Sequence, residues 1–586
     1  MADRFENRAP PLSARLVAAA RIACALSLAF ACSRDPETGG SVRARNAILI
    51  TLDTTRADAL GCYGGGTFTP HLDRLAAESV LFEEARTVAP RTLPAHASMM
   101  TGLYPLRHGV RDNSWWPLSP AADLLAERVR AKSFQTAAFV SSLALDRSFG
   151  LDRGFEVYDQ PPRPAGQANT HFAERTAPAA VRAAQEWLAG RDRTRPFFLW
   201  VHFFDPHAPY SAPEGYGAGA PHPYLREVAF MDAAVGNLID GLRSEGLLEE
   251  SLLVVAGDHG ESLGEHGEES HGALCYGGVL RVPLLVRLPG GRRGGERSSA
   301  LASVVDVFPT LSRALDLGRS SGLDGRDLLS LDDDSDRGVY FESYAGWLSY
   351  GYSPLAGWIE GEHKYLHSTA PELYRLDADP REQHNTFEEQ ALPVQRARAA
   401  IDSLVRLPRL ADEREGEPVA GLSKALSALG YSSAGAARAA LPEPLEATDR
   451  PAPQDKVAEI RALTRAIKLG ESGSFAEAAD LLREIVRSNP LNLEALNVLS
   501  VVLMSLREYE QAHAVLEMRL ARGPEQAVNW INLGAVLMKL GRPQEAEQAL
   551  ERGLALDPGQ ELGAKALEHL RSQRRAGKPA SGDGFR

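Results

Sequence analysis

The chain is poor in cysteine, in basic charge and in long apolar runs, and each shortage excludes a class of protein. It has four cysteines in 586 residues. If Cys32 is lipidated, only Cys62 and Cys275 remain as ordinary thiols, which is too few for a disulfide framework or a cysteine-based metal site. Lysine and arginine together number 64 against 77 acidic residues, and the formal net charge is -13. A general nucleic-acid binder needs positive charge to offset the phosphates, so we predict no nucleic-acid partner.

The apolar run nearest the N-terminus, residues 22–31, is too short to cross a bilayer as a helix. Four arginines precede it, which is the layout of a secretory signal peptide over residues 1–31. Residues 28–32 also resemble a bacterial lipobox, although Phe30 is larger than that motif normally accepts. We therefore predict export to the periplasm or cell envelope, with a lipid tether at Cys32. The alternative is a buried or disordered N-terminal helix.

Three apolar segments in the first half of the chain end in polar residues of the kind that bind metals. They are residues 47–52 before Asp53, residues 197–204 before Asp205-Pro-His207, and residues 252–256 before Gly257-Asp258-His259. Runs of this length are typical of the inner strands of a parallel sheet that is covered on both faces. Ligands bind at the carboxyl ends of such strands, so we expect the three polar ends to converge on one edge of an α/β sheet.

Thr92 stands at the start of a predicted short helix. Pro94 is a favoured residue in a first helical turn, and the residues through Met100 can continue the helix. A hydroxyl at a helix N-terminus lies where backbone N–H groups and the helix dipole stabilise an anion, which suits a nucleophile. The same position also suits an ordinary helix cap, so the residue alone does not separate the two interpretations.

Together these motifs resemble the sulfatase branch of the alkaline phosphatase superfamily. The matching residues are Asp53, Arg56, Asp58 and Asn385. The matching segments are residues 60–64, 94–102, 205–207, 258–261, 264–267, 270–272, 280–283 and 372–380. The resemblance implies an α/β fold over residues 44–410. Its architecture would be an alkaline-phosphatase-like sandwich with a mostly parallel central sheet and a small C-terminal α+β subdomain.

One departure from the family pattern bears on the chemistry. Sulfatases of this branch oxidise a cysteine or serine to formylglycine, and the motif continues with proline and arginine. In this chain Thr92 stands in the nucleophile place and His96 in the arginine place. Threonine cannot give that aldehyde, because oxidation at its Cβ would yield a ketone, so no formylglycine is expected. Thr92 is instead similar to the threonine nucleophile of nucleotide pyrophosphatase/phosphodiesterases and phosphoethanolamine transferases, which have Asp-His where this chain has Asp258-His259.

The resemblance implies one divalent cation bound by Asp53, Asp258 and His259, with Thr92 as the fourth and reactive ligand. Direct coordination lowers the pKa of an aliphatic hydroxyl and stabilises the charge that develops on the transferred group. A mixed set of carboxylate and imidazole ligands favours Zn, Mn or Fe, while Ca and Mg stay possible. Thr54 stands where many sulfatases have a second Asp, which removes one of the hard ligands of a Ca site.

His207 and His271 are candidates for catalysis and for contact with the substrate, and Arg56 is a candidate for contact with the substrate alone. His271 could contact the transferred anion, protonate the leaving oxygen, or join Asp205 and His207 around a second metal, and the sequence does not choose among these roles. Arg56 could bind substrate oxygens bidentately, or it could pair with Asp58. The alternative for each histidine is a structural role, as a loop side chain hydrogen-bonded to the backbone.

Prolines 490, 524 and 558 recur at the 34-residue period of tetratricopeptide repeats. We predict three helical hairpins over residues 457–558 and a capping helix to residue 571. A linker over residues 411–455, rich in Ala, Glu, Pro and Ser, would precede them. The concave face of such repeats normally binds a peptide or another protein. The repeats could equally pack on the catalytic domain or mediate self-association.

The sequence therefore predicts an exported, metal-dependent hydrolase or transferase of the sulfatase family that acts on an anionic ester through Thr92. A phosphodiester or phosphonate-type ester is favoured by the threonine and by the Asp258-His259 pair. Hydrolysis of a sulfuric ester is the main alternative, because most of the surrounding motifs are sulfatase-like. An alternative of another class is a catalytically degenerate scaffold that binds protein partners through its repeats.

Overall fold

A computed structural model describes residues 43–113, 117–161, 175–318, 320–331, 337–410, 441–523 and 526–575. The predicted signal peptide, residues 1–31, and Cys32 lie outside these ranges, as do residues 411–440 of the predicted linker. Within these ranges no helix combines the length and the apolar character that crossing a membrane requires.

Ten strands precede the small antiparallel sheet in the described part of the first domain, and eight of them form a mostly parallel central sheet. In chain order the strands are β1 (Asn46–Leu52), β2 (Val80–Phe82), β3 (Ala85–Arg86), β4 (Gln135–Phe139), β5 (Val157–Asp159), β6 (Phe197–Phe203), β7 (Ser251–Gly257), β8 (Leu284–Arg287), β9 (Arg297–Ser298) and β10 (Ala302–Ser303). The spatial order is β5-β4-β6-β1-β7-β8-β2-β9, while β3 and β10 pair separately. Strands β5, β4, β6, β1 and β7 are parallel, and β8 is antiparallel to β7 and β2. The predicted α/β class is confirmed.

The described part of the first domain also contains α-helices. In chain order they are α1 (Pro70–Ala76), α2 (Thr92–Thr101), α3 (Pro105–His108), α4 (Leu125–Ala131), α5 (Ala177–Gly190), α6 (Pro223–Ser244), α7 (Leu247–Glu250), α8 (Gly277–Leu280), α9 (Val307–Ala314) and α10 (Ala391–Val405). Helices α1, α5 and α6 share one apolar core with the sheet, and α9 contacts β7. Strands β1, β6 and β7 are buried along their whole length, which explains their near-continuous apolar sequence.

A small antiparallel sheet follows the central one. Its strands pair in chain order, and they are β11 (Gly338–Ser343), β12 (Leu355–Glu360), β13 (His363–His367) and β14 (Glu372–Arg375). Helix α10 packs on β12 and β13, so the predicted α+β subdomain is confirmed. Its first strand touches the site region, because the Ser343 hydroxyl donates a hydrogen bond to the carbonyl of Gly272.

The C-terminal part of the chain is helical. The helices are α11 (Val457–Glu471), α12 (Phe475–Ser488), α13 (Leu493–Ser505), α14 (Tyr509–Leu520), α15 (Ala527–Lys539), α16 (Pro543–Leu556) and α17 (Glu561–Arg575). Small residues at the predicted period, Ala478, Ala512 and Ala546, are fully buried between the helices of each hairpin. Larger side chains there would separate the two helices, so this burial accounts for the period. The prediction of an all-helical repeat region is confirmed.

The repeats are packed on the first domain rather than held apart from it. Residues 441–455, part of the predicted linker, contact that domain. The amide of Ser353 donates to the carbonyl of Pro451 at 2.9 Å, and the Arg450 guanidinium lies 3.5 Å from the centre of the Trp347 ring. The side-chain amide of Asn489 then donates to the carbonyl of Tyr350 at 2.8 Å.

Candidate active site

The sheet register brings two predicted ligands together. Leu52, the last residue of β1, pairs with Gly257, the last residue of β7. The next residues, Asp53 and Asp258, therefore leave the sheet side by side, and both are fully buried. Because neighbouring parallel strands end at the same edge, the predicted convergence of these two ends is a direct result of strand order.

Asp53, Asp258 and His259 form a compact group of potential metal ligands. One ligand atom from each lies within 4.8 Å of the others, and among the described residues this is the one such group of three or more. The His259 Nε2 atom is 3.7 Å from Asp53 Oδ1 and 3.7 Å from Asp258 Oδ2. His259 Nδ1 donates to the carbonyl of Gly260 at 2.9 Å, which leaves the Nε2 lone pair directed at the carboxylates.

The chemistry of this group fits a divalent cation. Burial, and next the charge of Asp53, raise the pKa of Asp258 well above its usual range. Asp258 Oδ1 accepts hydrogen bonds from the amides of His259 at 2.7 Å and Thr54 at 3.2 Å. Asp258 Oδ2 is buried and has no hydrogen-bond partner within the described residues. Two adjacent buried carboxylates are stable as anions only with a compensating positive charge, which a bound cation supplies.

Thr92 lies at the edge of this group. It is the first residue of α2 and is fully buried. Its Oγ1 atom is 3.4 Å from His259 Nε2. The predicted helix start is therefore observed, and the hydroxyl lies beside the three ligand side chains at a helix N-terminus, where an anion is stabilised.

Two buried histidines next to the group were not predicted to take part in it. His202 Nε2, on β6, is 3.4 Å from Asp53 Oδ2, and burial lowers the pKa of His202 to about 3. His96 Nδ1 donates to the carbonyl of Thr92 at 2.8 Å and lies 3.7 Å from Asp258 Oδ2. The only sequence signal for His202 was a polar residue within an apolar strand. For His96 the signal was its place in the motif.

The rings of His271 and His207 lie next to each other, and the His271 ring also lies close to that of His259. The centre of the His271 ring is 4.5 Å from that of His259 and 5.2 Å from that of His207. His271 Nδ1 is 3.0 Å from Glu261 Oε1, and the Tyr210 hydroxyl donates to Glu261 Oε2 at 3.2 Å. Burial, and next the charge of Arg91, lower the pKa of His271 to about 3. The imidazole is therefore neutral in this structure.

Arg91 is a buried cation at this site that the sequence did not reveal. Its Nε atom is 3.1 Å from Asp112 Oδ1, and both side chains are buried. A Cβ atom on Gly272 would lie 2.6 Å from the Arg91 Cζ atom, so glycine is required there. The charge of Arg91 lowers the pKa of His271 and of His207. Its place immediately before Thr92 was the only signal.

The side chains of Arg56 and Asp205 bind other groups of the protein. The Arg56 guanidinium holds Asp58 through two bonds of 2.8 Å and Glu265 through one of 2.7 Å. This arrangement matches the predicted alternative of pairing with Asp58, while substrate binding by Arg56 stays a prediction. The Asp205 carboxylate accepts from the amide of Ala177 at 2.7 Å. Asp205 is therefore not grouped with the histidines as a second set of ligands.

Comparison with known proteins finds a sulfatase-family match over part of the chain. Residues 45–317 match the Sulfatase family model. The chain carries a sulfatase-family domain. Residues 471–529 and 527–560 match two tetratricopeptide repeat models, so the sulfatase domain is followed by tetratricopeptide repeats, in agreement with the helices described above.

Relatives of the sulfatase domain include named enzymes. The uncharacterised sulfatase YidJ of Escherichia coli (strain K12) is 24% identical over 426 residues, which cover 59% of this chain and 83% of the relative. The steryl-sulfatase of Mus musculus is 28% identical over 414 residues, covering 51% and 66%. The solved phosphonate monoester hydrolase of Agrobacterium radiobacter shares the fold, with a TM-score of 0.52 and 22% identity over 62% of this chain and 95% of that one. The sulfatase domain is that of an ester hydrolase.

Proposed function

We propose that the sulfatase domain hydrolyses phosphodiester or phosphonate-type esters with Thr92 as the nucleophile. The observation that carries this proposal is the buried Thr92 hydroxyl, which lies 3.4 Å from His259 Nε2. That nitrogen is itself 3.7 Å from a carboxylate oxygen of Asp53 and of Asp258. A nucleophile must lie close to the group that activates it, and a helix N-terminus also favours the negative charge on its oxygen.

Asp53, Asp258 and His259 would hold the divalent cation of this site. When bound there, the cation lowers the pKa of a neighbouring hydroxyl and stabilises negative charge on the transferred group. Gly260 fixes the tautomer of His259 through its carbonyl, and two backbone amides fix the Asp258 carboxylate. The protein thus holds the three ligands in place before substrate arrives, which avoids a reorganisation cost during reaction.

The reaction would take place in two displacements at phosphorus. Thr92 Oγ1 loses its proton and forms a bond to phosphorus, while the bond from phosphorus to the leaving oxygen breaks and that oxygen takes up a proton. Water then gives up one proton and forms a bond to phosphorus, while the bond to Thr92 Oγ1 breaks and Thr92 takes up a proton, so that no net proton is consumed in the second displacement. His271 and Arg91 are the candidates for contact with the anionic oxygens. His271 could protonate the leaving oxygen only where the negative charge of bound substrate raises its pKa from about 3.

Hydrolysis of a sulfuric ester is the second candidate. The match to the Sulfatase family model and the 28% identity to a steryl-sulfatase favour it. The residue in the nucleophile place argues against it, because threonine cannot provide the aldehyde hydrate from which sulfate is eliminated in the formylglycine route. A sulfated Thr92 would have to be released by attack of water at sulfur.

The test is turnover of matched aryl phosphodiester, phosphonate, phosphate monoester and sulfate esters by the full chain, with metal content measured on the same sample. We expect phosphodiester or phosphonate turnover that falls on the order of 10³-fold or more in Thr92→Ala, with metal retained. Thr92→Ser, which keeps the hydroxyl, should retain part of the activity. Sulfate turnover that persists in Thr92→Ala would refute the nucleophile. Bound metal with no turnover of any ester would favour the scaffold hypothesis.

A further inference from the structure

The segment that carries His271 is a compact loop, residues 262–272, which we call the histidine loop. Its two arms are joined by backbone hydrogen bonds. The amide of Ser262 donates to the carbonyl of Ser270 at 3.0 Å, and that of Gly264 donates to the carbonyl of Glu268 at 2.9 Å. His271 follows directly after the second arm. A displacement of the loop would therefore move the His271 ring relative to His259.

Arginines from two domains hold the histidine loop on opposite flanks. From the sulfatase domain, Arg56 bonds the Glu265 carboxylate at 2.7 Å and the carbonyl of Glu261 at 3.1 Å. From the first repeat helix, α11, the Nε atom of Arg461 donates to the carbonyl of Gly267 at 2.9 Å. Lys468, on the same helix, pairs with Glu269 at 3.1 Å, but both side chains are exposed and such pairs contribute little.

The contact between α11 and Gly267 is close-packed. Gly267 has φ +86, and a Cβ atom built on it would lie 2.0 Å from Val457 Cγ1 and 3.1 Å from an Arg461 nitrogen. Val457 also packs on an apolar cluster of Leu274, Tyr276 and Tyr374, so it cannot easily move aside. The repeat helix therefore fits the loop closely at this glycine.

We propose that the first repeat helix is a structural part of the active site, with Arg461 and Val457 as positioning residues that fix the histidine loop and through it His271. The proposal rests on the proposed ester hydrolysis. It gives the repeats a role beyond partner binding, because the sulfatase domain that precedes α11 in the chain already contacts this helix.

A pair of glycines in the loop provides a matched test. Gly264 and Gly267 both have positive φ, so alanine is strained at either position. Gly264 has nothing within 4 Å of a built Cβ, whereas Gly267 meets Val457. We expect Gly267→Ala to lower kcat about tenfold or more with a smaller change in KM, and Gly264→Ala to have a clearly smaller effect. Adding Val457→Ala to Gly267→Ala should recover part of the lost kcat, because it removes the clashing methyl groups.

The hydrogen bond is tested separately. Arg461→Ala should lower kcat and raise hydrogen exchange in residues 262–272, while Arg465→Ala, an exposed arginine one turn further along α11, should do neither. Equal kcat losses in the two glycine variants, with no recovery from Val457→Ala and unchanged exchange in Arg461→Ala, would overturn the proposal. Failure of the proposed function is distinguishable, since the wild-type protein would then turn over no phosphodiester or phosphonate ester, or its turnover would survive in Thr92→Ala. The exchange difference would still report on the contact in either case.

Discussion

The two halves of the site are held in different ways. Asp53 and Asp258 are placed by strand register, and Asp258 also by a backbone amide of the next residue, within the sulfatase domain. His271 lies on a loop that is held by Glu261, by Arg56 and by Arg461 of the repeats. The metal-binding carboxylates are thus placed mainly by strand pairing, whereas the histidine half depends on loop contacts that include one from the repeats. We expect substitutions in the first half to abolish turnover and substitutions in the second half to reduce turnover by smaller factors.

Removal of a carboxylate from the metal-binding half should have the largest effect. Asp258→Asn is expected to lose bound metal and to reduce kcat/KM on the order of 10³-fold or more, because the amide supplies neither the charge nor the same ligand strength. Metal content and turnover are measured together. Asp205→Asn, beyond the end of β6 on the other side of β1, is the control and should retain its metal. Loss of metal in the control as well would mean that Asp205 contributes a ligand.

His271→Ala should have an intermediate effect, about 10²–10⁴-fold on kcat. The dependence of the lost rate on the leaving group distinguishes the two possible roles of His271. If His271 protonates the leaving oxygen, alkyl esters should lose more rate than aryl esters, because a poor leaving group needs the proton. A uniform loss across both series would indicate contact with the transferred anion. The control is His266→Ala in the same loop, whose ring stacks on Tyr276 with centres 3.6 Å apart. A loss in His266→Ala as large as in His271→Ala would contradict a specific role for His271.

Glu494, on the repeat helix α13, should show the smallest effect, on stability rather than activity. Burial raises its pKa to about 7, although Asn497, Arg519 and Arg91 act in the opposite direction. An unfolded chain titrates this group near 4.5, so the stabilising contribution is complete below that pH and is lost as pH rises through about 7.

Glu494→Gln removes this pH dependence. Relative to wild type, the free energy of unfolding of the variant should increase between pH 5 and pH 8 by up to about 3 kcal/mol. Urea unfolding at the two pH values measures the change, with Glu484→Gln, an exposed residue of α12, as control. A stability difference from wild type that does not change with pH would show that Glu494 titrates normally.

The same comparison explains which features could be predicted from sequence. The ends of β1 and β7 were predictable because apolar runs and strand-end ligands follow from the burial of a parallel sheet. The repeats were predictable because Ala478, Ala512 and Ala546 repeat with a fixed period. Arg91, and the repeat contact of the histidine loop, could not be predicted, because each depends on which loops meet in space. The place of His202 beside Asp53 could not be predicted for another reason, since a strand pattern does not reveal which polar residue faces a ligand.

The most direct test of the account is identification of the covalent intermediate. The full chain, loaded with metal, is acid-quenched during turnover of a slow phosphodiester or phosphonate ester and digested, and the peptide that contains Thr92 is analysed by mass spectrometry. We expect the phosphoryl or phosphonyl group of the substrate on Thr92, and we expect it to be absent from the Thr92→Ala variant, which should also be inactive. A group found on another residue, or a Thr92→Ala variant that keeps the wild-type rate, would contradict it.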